Sequence, residues 1–207
     1  MPAKIRVFSV DDHPLLREGI AAIINSQADM TLVGQASNAQ DAILEYRKLL
    51  PDVTLMDLRL PDKNGIDAML SILEEFPQAR IIILTTFEGD VEIGRALKSG
   101  ARGYLLKSMP PKELLDVVRQ VHAGKKRIPT QVAAHIAEHL SDELLTEREV
   151  QVLSEVAGGN RNKDIAETLF ISEETVKVHI KHIMEKLGAS DRTEAVAIGL
   201  RRGIIHL

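Results

Sequence analysis

The sequence contains no cysteine and no tryptophan, and aromatic residues make up only 3% of its 207 positions. The absence of cysteine excludes disulfide bonds, thiolate metal ligands and thiol catalysis. No run of about 18 apolar residues occurs, and the N-terminus lacks the apolar region of a signal peptide, so we expect a soluble cytoplasmic protein without membrane contact. A core must be built from Ile, Leu, Val and Ala, and the 44% hydrophobic content is sufficient for one.

An excess of positive charge is also absent. The net charge is −4, and residues 145–207 carry nine basic against ten acidic side chains. Bulk charge therefore gives no support for nucleic-acid binding, which would depend on where individual basic residues lie.

The first 124 residues alternate short β-branched segments with longer amphipathic ones. The short segments are predicted to be strands buried on both faces: KIRVFSV, MTLVGQA, VTLMD, IIILTT and GYLLK. The longer stretches have helical spacing, and Pro14 and Pro111 suit first helical turns. This alternation predicts an α/β fold, a doubly wound (βα)5 parallel sheet of the flavodoxin-like type.

After residue 124 the pattern changes. Residues 125–144 are charged and irregular, although QVAAHIAEHL has the pattern of a short connector helix. From residue 145 the pattern is purely helical, and Thr146 with Glu149 fits a capping box. We therefore predict a first domain of residues 1–124, a linker of residues 125–144 with a short helix, and a smaller all-α domain of residues 145–207.

Carboxylates follow two of the predicted strands. Asp11 and Asp12 come directly after the first strand, and Asp57 follows the third. If the strand order is 2-1-3-4-5, these ends are neighbours where the order reverses, which is where ligands bind in open α/β sheets. Ionised carboxylates in one crevice repel unless a cation compensates them, and Mg²⁺ takes oxygen ligands. The three acids therefore predict a magnesium site, whereas each aspartate taken alone suits a helix N-cap or a turn.

Polar side chains also end the fourth and fifth predicted strands. Thr85 closes IIILTT and Lys107 closes GYLLK. A hydroxyl and an ammonium beside a metal would bind phosphoryl oxygens. Taken singly, Thr85 suits a helix cap and Lys107 a surface ion pair, so the prediction depends on their joint placement.

The ordered motifs VDDHP, LMDLRLPDKNG, ILTT and GYLLK resemble the receiver domain of two-component response regulators, over about residues 4–124. The resemblance implies that Asp57 is the phosphoacceptor, whose carboxylate attacks the phosphohistidine of a sensor histidine kinase. It implies Mg²⁺ ligation by Asp12, Asp57 and the backbone carbonyl of Arg59, with Asp11 acting through a water on the metal.

The same resemblance assigns roles at the last two strands. Thr85 and Lys107 would hold the phosphoryl oxygens, and Tyr104 would change rotamer with the active state. A magnesium-dependent phosphohydrolase is the alternative, but it would require a second carboxylate two residues after the nucleophile, where Arg59 stands. We therefore expect a regulator and not an enzyme. A regulator that acts without phosphorylation is a further alternative.

The segment NKDIAETLFISEETVKVHIKHIMEKLG has the form helix, tight turn, helix. Lys177 and Lys181 share a helix face with Val178 beside them, which suits a major groove, with ammonium groups directed to guanine and methyl groups to thymine. Glu173 and Glu174 fall in the first turn, where the helix dipole favours them, and we expect them to lie away from the lysines. On charge alone, the simpler interpretation is a small helical bundle with a solvated basic face.

The helical region as a whole resembles the LuxR-type helix-turn-helix output domain, over about residues 144–207, and with the receiver it resembles the NarL/FixJ-type response regulators. This resemblance implies that Lys177, Val178 and Lys181 meet base edges and Thr175 meets phosphate. It implies a homodimer on double-stranded promoter DNA, with RNA polymerase as a further candidate partner. Phosphorylation would free the recognition helix, promote dimerisation, or do both.

Overall fold

The computed structural model describes residues 3–86, 89–128, 133 and 144–205. These residues form two compact units, one around a parallel sheet and one around the C-terminal helices. Along the chain the elements are β1 (Ile5–Val10), α1 (Pro14–Asn25), β2 (Met30–Ala36), α2 (Ala39–Leu49), β3 (Val53–Met56), α3 (Gly65–Glu75), β4 (Ile81–Thr85), α4 (Asp90–Lys98), β5 (Gly103–Leu106), α5 (Pro111–His122), α6 (Glu147–Ala157), α7 (Asn162–Leu169), α8 (Glu173–Leu187) and α9 (Arg192–Arg201).

The sheet has the order β2-β1-β3-β4-β5, and every neighbouring pair is parallel. The predicted order and fold class are therefore confirmed. Val10 of β1 pairs with Met56 of β3, so these two strands end at the same level. Whatever follows them in sequence must lie side by side at the carboxyl edge of the sheet.

The strands are apolar on both faces because helices cover both. One face carries a cluster of fully or nearly buried aliphatic residues from the strands, from α1 and from α5. It includes Val7, Leu55 and Leu105 from the sheet, together with Ile24 and Val118 from the two helices. This packing fixes the strands, and with them the positions of the residues that follow each strand.

The helical unit has its own aliphatic core. It includes four side chains that are at most 1% exposed: Val152, Ile165, Val176 and Ile183. The chain turns sharply from α7 into α8 at Phe170, which has a left-handed φ of 56° and an almost fully exposed ring. These contacts confirm a second, all-α domain with a helix-turn-helix.

A buried ion pair joins two helices of this unit. The capping box of Thr146 and Glu149 at the start of α6 is present, and the Glu149 carboxylate also accepts from Lys186 Nζ of α8 at 2.9 Å. Burial alone would raise the pKa of Glu149, but the hydrogen bonds from Thr146 and Lys186 outweigh it and hold the pKa below its ordinary value. The charged carboxylate thus stabilises the packing of α8 against α6.

The predicted strands agree with the observed ones to within one residue at each end, and α1 and α5 begin at Pro14 and Pro111 as predicted. The predicted connector helix, residues 131–140, lies outside the described residues, apart from residue 133. The domain boundaries at residues 124 and 145 stay predictions. None of the helices in the described part of the chain is both long and apolar enough to cross a bilayer.

Candidate functional site

The candidate phosphoacceptor site lies at the carboxyl edge of the sheet. Asp57 follows β3, and its backbone N–H donates to the Val10 carbonyl of β1 at 2.9 Å. Asp11 follows β1, and its N–H donates to the Ala36 carbonyl of β2 at 3.1 Å. The ladder hydrogen bonds therefore continue into both aspartates, and the side chains of Asp11 and Asp57 are almost fully buried.

Lys107 compensates the two buried carboxylates. Its Nζ lies 2.7 Å from Asp11 Oδ2 and 2.8 Å from Asp57 Oδ2. The contact with Asp57 is a hydrogen bond, whereas the contact with Asp11 is an ion pair without hydrogen-bond geometry. The backbone of Lys107 is fixed as well, because its N–H donates to the Thr85 carbonyl at 2.8 Å. The structure thus brings together Asp11, Asp57 and Lys107 of the sequence-predicted residues, and Thr85 contacts the backbone of Lys107.

Charge and burial oppose each other at this site. Burial raises the pKa of Asp57 and the charge of Asp11 adds to the rise, while the hydrogen bond and charge of Lys107 and a backbone N–H from Arg59 oppose it. Burial alone would lower the pKa of Lys107, but its contacts with Asp11 and Asp57 outweigh burial, so the pKa is raised. The ammonium group therefore stays charged between the carboxylates.

The fit of the pocket to a divalent cation depends on its donor atoms. One carboxylate oxygen from each of Asp11, Asp12 and Asp57 and one ring nitrogen of His13 all lie within 4.8 Å of one another. Asp11 Oδ2 is already paired with Lys107, whereas the Asp12 carboxylate is exposed and offers hard oxygen donors to a cation. The three carboxylates therefore fit Mg²⁺, which prefers oxygen ligands.

Two residues that the sequence did not point to also contact this site. His13 Nδ1 lies 2.7 Å from Asp12 Oδ1 and 3.1 Å from Asp11 Oδ1. Arg17 Nη1 donates to the backbone carbonyl of Asp11 at 2.6 Å. The signals available in the sequence were the position of His13 directly after the acid pair and that of Arg17 one turn into α1.

The loop between β3 and α3 ends at Gly65, the first residue of α3, which lies against the backbone of Asp57. Its N–H donates to the Leu58 carbonyl at 2.8 Å, and a Cβ at this position would lie only 1.9 Å from the Asp57 carbonyl oxygen. Any side chain would therefore displace the Asp57 backbone. In the same loop, Asp62 accepts hydrogen bonds from Ala39 N–H at 2.8 Å and Gln40 N–H at 3.0 Å, which fixes the loop to the first turn of α2.

The remaining predicted receiver residues take different positions. Tyr104 lies within β5 with its side chain fully buried. Arg59 is exposed, beyond the end of β3, and pairs with Asn64 in an isolated antiparallel bridge. Tyr104 is therefore part of the packed sheet, whereas Arg59 lies in the loop that follows Asp57.

In the helical unit, α8 carries the predicted DNA-contacting residues. Lys177, Val178 and Lys181 are exposed, and Thr175 is half-buried with its N–H bonded to the Ser172 N-cap. Lys177 and Lys181 also line one groove of about 400 Å³ with residues from the starts of α7 and α9. Lys177 and Lys181 thus share a surface, as their spacing predicts.

One expectation about this surface is wrong. Glu174 does not lie away from the lysines, because its Oε2 lies 3.1 Å from Lys177 Nζ. Lys181 likewise has Glu185 Oε1 at 3.7 Å. The positions are three and four apart on one helix, so their side chains reach each other and each lysine is partly neutralised.

Comparisons with known proteins agree with this geometry. Residues 7–119 match the response regulator receiver domain, and residues 143–198 match the bacterial regulatory proteins of the luxR family. The chain is 43% identical to the uncharacterized transcriptional regulatory protein YxjL of Bacillus subtilis, with 98% of each chain covered. It is 35% identical to the response regulator protein VraR of Staphylococcus epidermidis, covering 98% of this chain and 99% of that protein.

A solved structure gives the same result. The two-component response regulator RcsB in complex with DNA has 26% sequence identity and a TM-score of 0.72, covering 96% of this chain and 98% of RcsB. Both units and their order along the chain are therefore accounted for. The chain belongs to the two-component response regulators that join a receiver domain to a LuxR-type helix-turn-helix DNA-binding domain.

Proposed function

We propose that Asp57 accepts a phosphoryl group from a phosphohistidine of a sensor histidine kinase in a Mg²⁺-dependent reaction. A carboxylate oxygen of Asp57 would attack phosphorus, and the P–N bond would break with the electron pair leaving on the imidazole, which takes up a proton. The observation that carries this proposal is the position of Lys107 Nζ, 2.7 Å from Asp11 and 2.8 Å from Asp57.

The chain's own residues supply most of what the transfer needs. Lys107 is positioned to neutralise charge that develops on the phosphoryl oxygens, and the Thr85 hydroxyl would bind one of them. Mg²⁺ held by Asp11, Asp12, Asp57 and the carbonyl of Arg59 would screen the repulsion between the carboxylates and the incoming phosphoryl group. Gly65 and Asp62 would keep the acceptor loop in place during the reaction.

We further propose that phosphorylation promotes homodimer formation and binding of double-stranded promoter DNA. Lys177, Val178 and Lys181 would contact base edges and Thr175 a phosphate. Because the helical unit has no excess of basic residues, one copy would bind weakly and two linked copies would add their contacts. Contact with RNA polymerase and a cytoplasmic location stay predictions.

The phosphoacceptor is tested with acetyl phosphate as donor and phosphate-affinity gel electrophoresis as readout. We expect a retarded band with Mg²⁺, none with EDTA, and none for Asp57→Asn. Asp67→Asn is the matched control, because Asp67 is an exposed carboxylate at the start of α3. A retarded band for Asp57→Asn at the wild-type rate would refute the assignment.

DNA binding is tested by selection from random duplexes with and without acetyl phosphate and Mg²⁺. We expect enrichment of a two-half-site sequence, stronger with the phosphodonor, and its loss for Lys177→Ala with Lys181→Ala. Enrichment that does not depend on Asp57 would contradict phosphorylation control while leaving the DNA-binding surface intact.

A further inference from the structure

The first residues of the predicted linker continue the sheet beyond β5. Arg127 forms a parallel bridge with Gly103. Its N–H donates to the Arg102 carbonyl at 2.8 Å, and its carbonyl accepts from the Tyr104 N–H at 3.2 Å. Because β5 is the last strand of the sheet, this pairing uses backbone groups that would otherwise face solvent.

The amino acid at position 103 permits this pairing. A Cβ on Gly103 would lie 3.3 Å from the Arg127 carbonyl oxygen and 3.3 Å from Ile82 Cγ1 of β4. Both distances are tighter than ordinary van der Waals contacts, so the absent side chain allows close approach of β4 on one side and Arg127 on the other.

The same pairing is connected to the phosphoacceptor site. Tyr104 donates its N–H to Arg127, and its ring is fully buried in the sheet. Two residues further along, β5 is paired with Thr85 at the end of β4, and the Thr85 carbonyl accepts from Lys107 N–H at 2.8 Å. Lys107 in turn holds Asp57. An unbroken set of contacts thus runs from Asp57 to the backbone of Arg127.

We infer that the pairing of Arg127 with β5 couples the phosphorylation state of Asp57 to the linker that precedes the DNA-binding domain. Phosphoryl oxygens bound by Thr85 and Lys107 would stabilise the arrangement in which Lys107 contacts Asp57 and bonds to the Thr85 carbonyl, and that arrangement includes the pairing. A phosphoryl group therefore shifts the linker toward the paired state, because it binds this state better. This inference rests on the proposed phosphorylation of Asp57.

The coupling is reciprocal, so loss of the pairing must weaken the effect of phosphorylation. A chain that cannot pair residue 127 with β5 gains less DNA affinity from a phosphoryl group, because the linker no longer distinguishes the phosphorylated from the unphosphorylated state. DNA affinity should then depend less on phosphorylation, although the phosphoryl group is still accepted.

Amide hydrogen exchange on the full chain tests the coupling directly. We expect acetyl phosphate with Mg²⁺ to slow exchange at the amides of Tyr104 and Arg127 by about fivefold or more, the effect of stabilising one or two hydrogen bonds. Asp57→Asn should show no such change. Phosphate-affinity electrophoresis of the same samples separates the outcomes: phosphorylated Asp57 with unchanged exchange refutes the coupling alone, whereas absence of phosphorylation refutes both proposals.

Two variants test whether the pairing affects the gain in DNA affinity on phosphorylation. Arg127→Pro removes the N–H that bonds to Arg102, while Arg127→Ala keeps the backbone groups and serves as the matched control. We expect both variants to accept a phosphoryl group as the wild type does. In Arg127→Pro, however, the phosphorylation-dependent gain in affinity for a selected duplex should be about fivefold smaller than in the wild type. An equal gain in wild type and Arg127→Pro refutes the inference.

If Arg127→Pro does not fold, Gly103→Ala provides a milder change. Its Cβ would push against the Arg127 carbonyl without removing a hydrogen-bond donor. Cooperative urea unfolding identifies the folded variants. A folded Gly103→Ala chain with undiminished gain in DNA affinity and undiminished slowing of exchange at Tyr104 would overturn the coupling.

Discussion

Replacing Lys107 with methionine would leave two buried carboxylates without the ammonium group that lies between them. Asp11 and Asp57 would then repel each other in a site that excludes most water, while the methionine side chain fills a similar volume. We expect the sheet unit to become less stable in the absence of divalent cations and to recover stability when Mg²⁺ is added.

The magnitude follows from the distances. Two unit charges 2.7 Å apart attract by roughly 6 kcal/mol at an effective dielectric constant of about 20, but burial of the charges offsets much of this energy. Removal of one member of a buried ion pair costs about 3–5 kcal/mol. One of the remaining carboxylates can take up a proton, which limits the loss, so we expect about 3 kcal/mol at neutral pH. Mg²⁺ at about one hundred times its dissociation constant would return about 2.7 kcal/mol.

The chain offers a specific probe for this measurement. Its two tyrosines, Tyr46 and Tyr104, both lie in the sheet unit, and tryptophan is absent. Tyrosine fluorescence during urea unfolding therefore follows this unit and not the helical one. The matched control is Lys112→Met, because Lys112 is exposed on α5, and we expect it to unfold with the wild type. If Lys107→Met in EDTA unfolds at the wild-type urea concentration, the carboxylates do not depend on Lys107.

Three further predictions follow from single contacts. Gly65→Ala places a Cβ 1.9 Å from the carbonyl oxygen of Asp57, so phosphorylation by acetyl phosphate should fall by about 100-fold. Gly19→Ala, which has nothing within 4 Å of the added Cβ, should leave the rate unchanged. Glu149 has a lowered pKa, so its stabilising effect is complete above its unfolded-state pKa and is lost as the pH falls through the folded-state pKa. Glu149→Gln should therefore lower the free energy of unfolding by about 1–3 kcal/mol at neutral pH and by little in acid. The measurement is the unfolding transition in far-UV circular dichroism that tyrosine fluorescence does not follow. Glu174→Gln frees Lys177 from its ion pair, so affinity for non-specific duplex should rise and its salt dependence should steepen by about 0.9 in log–log slope; an unchanged slope would show that the ion pair does not limit DNA contact.

The sequence predicts the sheet and the acid cluster well for one physical reason. In a parallel sheet, side chains that follow neighbouring strands meet at one edge, so the positions of Asp11 and Asp57 in the chain already determine that they are close. Lys107 follows β5, which β4 separates from β3, and its long side chain reaches both carboxylates. The capping box at Thr146 was equally predictable, because its contacts span only three residues.

Contacts that depend on side-chain rotamers or on unpatterned backbone were not predictable. The ring of His13 turns toward the acids, and Glu174 bends toward Lys177, in rotamers that the sequence does not specify. The bridge at Arg127 involves only main-chain groups, in a charged stretch without strand-like alternation. Such contacts are determined by tertiary packing, and the periodicity of apolar residues along the sequence does not predict them.

The bridge at Arg127 also bears on how a separate receiver would behave in solution. An outer strand with unsatisfied main-chain groups is a template for pairing with another molecule. A fragment ending at residue 124, the predicted boundary, would lack Arg127 and leave the Tyr104 amide and the Arg102 carbonyl open to a neighbouring chain. Fragments that extend through residue 128 keep the outer edge of β5 paired with Arg127. We expect them to self-associate and precipitate less than the shorter fragments.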